Sequence, residues 1–284
     1  IRCARRKGSA HRPLLPRRDS AKPTVRLQLP VDDQWGSQQL YNAQGGYGQA
    51  GRAFGTAAEF VSLPADTAVS LVETLSFEEG ACLGIPAMTA FHAVFADGPV
   101  AGKTVLVAGA GGAVGHFAVQ FAVSGGARVF RTAGNANRIA GAIGAGADKV
   151  YCRHSEDLLS QLIEASEGQG FDRIIEVDLG ANLEIDVTLL KQGGVIASYS
   201  SSSDPSPILP YYKLQNKAGA IRTIQGFSLS SEVRARGQHA IAELSKSGKL
   251  DVAVGQRFQL EDIADAHEAV EAAQTIGNVV LMID

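Results

Sequence analysis

The sequence predicts an α/β protein built on a Rossmann-type, doubly wound parallel sheet. Short apolar strands alternate with helical patterns from Lys103 to about Ile224, the mark of a parallel sheet covered by helices on both faces. The first of these strands runs directly into a glycine cluster and then into a helix. Finally, 284 residues with 45% hydrophobic and 19% charged side chains can bury a core, yet no run of about 18 apolar residues occurs, which excludes a membrane-spanning helix.

The elements follow in order. Residues 41–64 combine Gly45-Gly46-Tyr47-Gly48 with the short apolar run Glu59-Phe-Val-Ser-Leu63 and read as β structure with wide loops. Ser76-Phe-Glu-Glu79 is a capping box opening a helix. Pro86 suits the first turn of a second helix, which lines up Ala87, Phe91, Val94 and Phe95 and stops near Gly98. Strands are expected at Thr104–Ala108, Ala127–Phe130, Val150–Cys152, Arg173–Val177, Gly194–Ser198 and Ala220–Ile224. Helices are expected after Val114, over Asn135–Ile143, around Leu158–Leu162 and around Leu183–Leu190. The chain closes with a helix carrying Ile263, Ala266, Val270 and Ala273, and a strand at Asn278–Ile283.

The net charge of -3 hides an asymmetry. Residues 1–30 hold nine basic side chains and one acid, with four prolines, and lack period-2 alternation. They read as a basic Pro-rich tail, disordered or foreign to the domain that follows; a transit peptide is the alternative, which the prolines disfavour. The remaining residues carry net -11, so the body should bind no nucleic acid; binding through the tail would show a steep salt dependence. Without a secretory apolar segment, a cytoplasmic location is expected, with organelle targeting by the basic segment as the alternative.

The glycine cluster Gly109-Ala110-Gly111-Gly112-Ala113-Val114-Gly115 carries the functional signal. It satisfies G-x-x-G-x-x-G rather than G-x-G-x-x-G. Glycine still permits the sharp turn, lets backbone approach a pyrophosphate and packs helix against strand. The helix N-terminus then offers free N–H groups and a partial positive charge to an anion. A second strand ends about 20 residues on, as a dinucleotide-binding unit requires.

That second strand bears on the cofactor. Phe130-Arg131-Thr132-Ala133-Gly134-Asn135 contains no acid, whereas NAD-binding folds usually place Asp or Glu there for the ribose hydroxyls. Asn135 as N-cap would put Arg138 in the first helical turn, where a cation opposes the helix dipole unless a phosphate lies nearby. Arg153, just after the third strand, lies on the same sheet edge. Each arginine alone could be an ordinary solvated side chain; both together, with no acid, favour NADPH over NADH.

Cys3, Cys82 and Cys152 are scattered, with no C-x-x-C pair, and the six histidines form no ligand-spaced cluster, so no metal site is expected. Cys82 and Cys152 are expected as small core residues and His267 as a packed side chain. No nucleophile elbow is present, which disfavours hydrolase chemistry.

From about Tyr41 to Asp284 the chain resembles the zinc-free, zeta-crystallin-like quinone oxidoreductases of the medium-chain dehydrogenase/reductase superfamily. The matching pieces are Gly46-Tyr47, Ala58-Glu-Phe60, Gly84-Ile-Pro86 with Thr89-Ala90, and Val105-Leu-Val-Ala-Gly-Ala-Gly-Gly-Ala-Val-Gly115. They continue with Thr132-Ala-Gly134, Gly144-Ala-Gly-Ala-Asp148, Gly193-Gly194, Ala266-His267 and Gly277-Asn-Val-Val-Leu281. The resemblance implies a Rossmann domain (residues 83–227) inserted in a GroES-like β domain (31–82 with 228–284). That β domain would be partial, because residues 1–30 do not read as its strands. It implies that Arg138 and Arg153 contact the adenosine 2′-phosphate end, that Thr89 lies beside the nicotinamide, and that Gly226-Phe227 is a loop closing over the cofactor.

It also implies hydride transfer from NADPH to a quinone or α,β-unsaturated carbonyl, and a homodimer formed through edge strands of the cofactor sheet. The addition leaves an oxyanion that needs donors; Tyr47 and Thr89 are the candidates, with Tyr212 a further one. An NADPH-binding relative without turnover, for want of half the substrate domain, is the alternative.

Overall fold

The computed structural model describes residues 71–134, 150–226, 229–272 and 275–282, together with the backbone of two strands, 24–27 and 61–64. Six parallel strands form the central sheet: β3 (Thr104–Val107), β4 (Arg128–Ala133), β5 (Val150–Cys152), β6 (Phe171–Glu176), β7 (Leu190–Ser198) and β8 (Ala220–Thr223). Their spatial order is β5-β4-β3-β6-β7-β8. The chain thus starts in the middle at β3, works outward to one edge and returns to fill the other half, which is the doubly wound topology the alternation predicted.

Alternate strand residues serve opposite faces. Val105, Val107, Val129, Ile175 and Ala197 join one buried cluster with Phe91, Val94, Phe117 and Phe121. Leu106, Phe130, Ile174 and Ile196 join the other, with Leu162, Leu179, Leu183 and Val187. The helices supplying them are α1 (Phe77–Cys82), α2 (Met88–Phe95) and α3 (Ala113–Ser124), then α4 (Leu158–Ala165) and α5 (Leu179–Leu189). Helix α6 (Tyr211–Asn216) precedes the edge strand β8, and α7 (Ser231–Lys246) packs on α2. The last elements are β9 (Val254–Gln259), α8 (Ile263–Glu271) and β10 (Asn278–Met282), with β9 and β10 pairing in parallel as a two-stranded unit.

The capping box is present: the Ser76 side chain accepts from the Glu79 N–H, and the Ser76 N–H donates to Glu79 Oε2 at 2.7 Å. Pro86, however, does not open a new helix. It lies within a π-helical stretch, Leu83–Ala87, that joins α1 to α2 without a break, and Ala87 already has helical φ and ψ. The wider π turn accommodates the ring and the missing N–H that an α-helix interior would reject.

Thr24–Leu27 lies inside the basic segment read as free of strands, yet it pairs antiparallel with Val61–Pro64. This stretch, β1, falls between Pro23 and Pro30 and holds the β-branched Thr24 and Val25, so the prolines bracket rather than interrupt it. Val61–Pro64 is β2. His267 is exposed, not packed, because Ala266 is the residue its helix turns inward. Cys82 is buried and Cys152 half-buried. The helix expected at Asn135–Ile143 lies outside the described residues.

One polar device fastens α2 to the sheet. Arg173 on β6 is almost fully buried; its Nε donates to the Ala93 carbonyl at 2.5 Å and its Nη1 to Asp97 at 2.8 Å. Arg222 on β8 donates to the same carboxylate through Nε, at 2.7 and 2.8 Å. Burial opposes ionisation of Asp97, but the hydrogen bonds from Arg222 and Arg173 outweigh it and hold the carboxyl below its ordinary range. The stability it contributes is therefore present above the usual carboxylate range and lost as pH falls through its depressed value. Replacing Asp97 by Ala strands a buried guanidinium. It should cost about 3–5 kcal/mol in urea unfolding at neutral pH, with the deficit shrinking in acid.

Candidate functional site

The glycine turn lies where the strand order reverses, between β4 and β6 on either side of β3. Gly109 takes φ +68°, a left-handed conformation that turns the chain sharply off the end of β3. A Cβ on Gly115 would collide with the Gly109 carbonyl oxygen, so only glycine lets α3 start this close to the strand. Gly112 is the N-cap and provides no side-chain acceptor, and the first turn of α3 contains no acid. The N–H groups of Ala113, Val114 and Gly115 therefore have no intrahelical acceptors, whereas His116 already bonds back to Gly112 at 2.9 Å.

The loop is held from three directions. Thr132 on β4 accepts the Gly109 N–H through its hydroxyl at 3.3 Å and the Ala110 N–H through its carbonyl at 2.9 Å. Thr132 is buried, and its hydroxyl accepts from the loop. Val177, just after β6, places its Cγ1 3.0 Å from where a Gly109 Cβ would stand. Gly277, just before β10, donates its N–H to the Gly111 carbonyl at 3.2 Å and forms an isolated parallel bridge with Gly112. Sequence reasoning missed the parts played by Val177 and Gly277. Gly277 stood within a motif of the family resemblance, but nothing local marks it as a neighbour of the loop.

At the next strand ends, the Arg153 N–H donates to the Ala133 carbonyl at 2.9 Å. Its side chain is exposed and crosses over Gly134: a Cβ there would stand 3.1 Å from Arg153 Nε. Arg153 Nε also donates to His154 Nε2 at 3.2 Å. Gly134 thus leaves room for a cation at the tip of β4. The described chain here offers a guanidinium and no carboxylate, which suits an additional phosphate.

Thr89 is buried on α2, and a Cβ on Gly226 would run into its Oγ1, so its hydroxyl touches the backbone just beyond β8. The structure accordingly brings together Gly109, Ala110, Gly111, Gly112, Ala113, Val114 and Gly115 with Thr132, and sets Arg153 at the adjoining strand ends. Tyr47, Arg138 and Phe227 lie outside the described residues. Tyr212 does not join the crevice; it is 77% exposed on α6, beside the edge strand. Among the described residues, no three His, Cys, Asp or Glu side chains gather as a metal site. No helix among them is long and apolar enough to cross a membrane.

A parallel sheet in this order, with a glycine-rich strand-to-helix turn at its switch point, is the Rossmann framework of dehydrogenases and reductases. Comparison with known proteins agrees. The profile of a zinc-binding dehydrogenase family matches residues 145–281. A quinone oxidoreductase from Lama guanicoe is 33% identical over 232 residues, which is 80% of this chain and 68% of that enzyme. A crystal structure of an NAD-dependent alcohol dehydrogenase is 30% identical with a TM-score of 0.75, covering 82% of this chain and 66% of that one. The Escherichia coli quinone oxidoreductase, solved in complex with NADPH, superposes with a TM-score of 0.79 at 20% identity, over 94% of this chain and 93% of that one. The chain belongs to the quinone oxidoreductase family of the medium-chain dehydrogenase/reductase superfamily. It spans about two thirds of the length of the guanaco enzyme.

Gly115→Ala tests how tightly the turn is built. The added methyl must displace the Gly109 carbonyl, so thermal or urea unfolding should show a loss of about 1–3 kcal/mol.

Proposed function

We propose that the chain is an NADPH-dependent oxidoreductase that delivers a hydride to a quinone or an α,β-unsaturated carbonyl without a metal ion. The observation that supports it best is the uncapped first turn of α3, beside the arginine that crosses Gly134. Free N–H groups and a positive helix end suit a pyrophosphate, and the Arg153 guanidinium at the adjoining strand ends suits the 2′-phosphate. The naming of relatives as quinone oxidoreductases and the NADPH complex of the E. coli neighbour point the same way. The NAD-dependent alcohol dehydrogenase makes cofactor preference the first property to measure.

When bound, the nicotinamide supplies the hydride. The chain's own residues do the rest. Ala113, Val114 and Gly115 hold the diphosphate through backbone N–H groups, while Arg138 and Arg153 grip the 2′-phosphate. Gly226 and Phe227 close the crevice and exclude water. Thr89 and Tyr47 donate hydrogen bonds to the substrate oxygen as it gains negative charge, and a proton from water then completes the reduction, at the quinol oxygen or at the α-carbon of the enolate. On this reading residues 83–227 form the cofactor domain, and 31–82 with 228–284 form a partial GroES-like substrate domain.

The protein acts as a cytoplasmic homodimer. Strand β8 is an edge of the sheet, and next to it Ile208 is 91% exposed, with Leu209, Tyr211 and Tyr212 also exposed. Such an apolar margin beside an open edge suits a second copy of the chain. Ile208→Asp together with Tyr212→Asp should halve the mass seen by analytical ultracentrifugation; an unchanged mass would move the interface elsewhere.

The deciding experiment is NADPH oxidation against a panel of quinones and enones, followed by absorbance. Turnover supports the reading. Cofactor binding with no turnover on any acceptor would favour a binding protein instead. Arg153→Ala and Arg138→Ala should each raise the NADPH dissociation constant by about 10- to 100-fold while changing NADH far less, because only NADPH carries the extra phosphate. Equal losses for both cofactors would refute the 2′-phosphate assignment.

A further inference from the structure

Two buried acids on the face of the sheet away from α2 and α3 are used by nothing described so far. Glu176 ends β6 and Asp186 lies in α5; they are 0% and 3% exposed. Glu176 Oε1 accepts the Asp178 N–H at 2.5 Å and the Asn182 side-chain amide at 2.9 Å. Two further oxygens of the pair, Glu176 Oε2 and Asp186 Oδ2, have no donor, although the two side chains interact directly. Two ionised carboxylates in that position would repel strongly in a medium of low dielectric. One proton held between them turns the repulsion into a hydrogen bond and provides the donor that both oxygens lack.

The surroundings favour keeping that proton. Burial raises Glu176, although the Asp178 N–H, the Asn182 amide and Asp186 pull the other way, and the Asp178 charge adds to the rise. Burial raises Asp186 further, reinforced by Glu176. Tyr199, just past β7, also feels Glu176: burial, then that carboxyl, pushes its phenol up, so it brings no charge. The apolar cluster on this face includes Leu162 from α4 and Ile196 from β7, with Leu214 from α6 packed against it.

The pair is mechanically close to the phosphate loop. Asp178, whose N–H rests on Glu176, is the N-cap of α5, and the residue between them is Val177, which packs against Gly109. We propose that Glu176 and Asp186 share a single proton and act as positioning residues for the glycine-rich loop, so that losing the proton at alkaline pH loosens the Val177 turn and weakens dinucleotide binding. The binding half of this rests on the functional reading above; the shared proton does not.

The test compares wild type with Asp186→Asn, whose amide donates to Glu176 at every pH, and with Glu176→Gln should the first variant fold poorly. NADPH affinity is measured by fluorescence from mildly acidic to alkaline pH. Wild type should lose at least about fivefold on the alkaline side, while Asp186→Asn stays flat near the wild-type value in acid. In parallel, infrared absorption of the full chain at neutral pH should show the carbonyl band of a protonated carboxylic acid, lost in Asp186→Asn. Thermal unfolding supplies a third reading. A native state that keeps a proton the unfolded chain has released loses stability as pH rises through the raised value, so the wild-type midpoint should fall where the variant's does not. A wild type lacking the band, with an unfolding profile parallel to the variant's, overturns the shared proton. A protein that keeps the band but binds NADPH equally at all pH overturns the positioning role. A protein that binds no NADPH at any pH overturns the functional reading, and the band and the unfolding profile still decide the proton.

Discussion

A helix that begins at Ala113 leaves its first N–H groups without acceptors, and this chain brings no capping side chain to them. Serine, threonine, aspartate and asparagine are the favoured residues at helix starts, and Ser76 closes α1 and Ser230 closes α7 in this way. Here the N-cap is Gly112, and the positive end of a twelve-residue helix faces the crevice at the sheet's switch point. Much of the neighbouring structure follows from holding that end in place. Gly109 turns the chain, Gly115 lets helix and strand approach, Thr132 takes up the loop's own spare donors, and Val177 supports its back. A phosphate is the natural complement to what is left over.

The clamps on the loop come from distant parts of the chain. Thr132 belongs to β4, Val177 follows β6, and Gly277 arrives from the C-terminal segment. The same segment carries β10, whose partner β9 starts just past Asp251, and Asp251 is itself fixed to α3. Its N–H donates to Gln120 Oε1 at 2.7 Å, and its carbonyl meets His116 Nε2 and Gln120 Nε2, both at 2.9 Å. The C-terminal elements are thereby tied to both the start and the middle of α3. A disturbance of either would be felt at the loop without any substitution in it.

Much of the fold was legible in the sequence. The six strands lie where apolar runs alternate with helical periodicity, and the capping box at Ser76 and the glycine turn are local patterns with local causes. The misreadings also have local causes. Pro86 looked like a helix start because proline favours that position, but apolar packing on both sides kept one continuous helical run and absorbed the ring in a π turn. His267 sits one residue from the buried stripe, and helical phase alone does not settle which of two neighbours turns inward. Thr24–Leu27 was obscured by the basic residues and prolines around it, since a four-residue strand hardly alters composition.

What the sequence determined by itself was the class of the protein: periodicity, glycine spacing and the lack of an acid after the second strand are properties of neighbouring residues, and short-range sterics act on them directly. What only the tertiary structure decided is which distant groups meet. Thr132 meets the glycine loop, Val177 and Gly277 become its supports, and Glu176 and Asp186 become a buried pair. Such meetings depend on strand order and on the close packing of helices across the sheet. They arise where chain segments far apart in sequence are forced into one volume, and no local pattern records them.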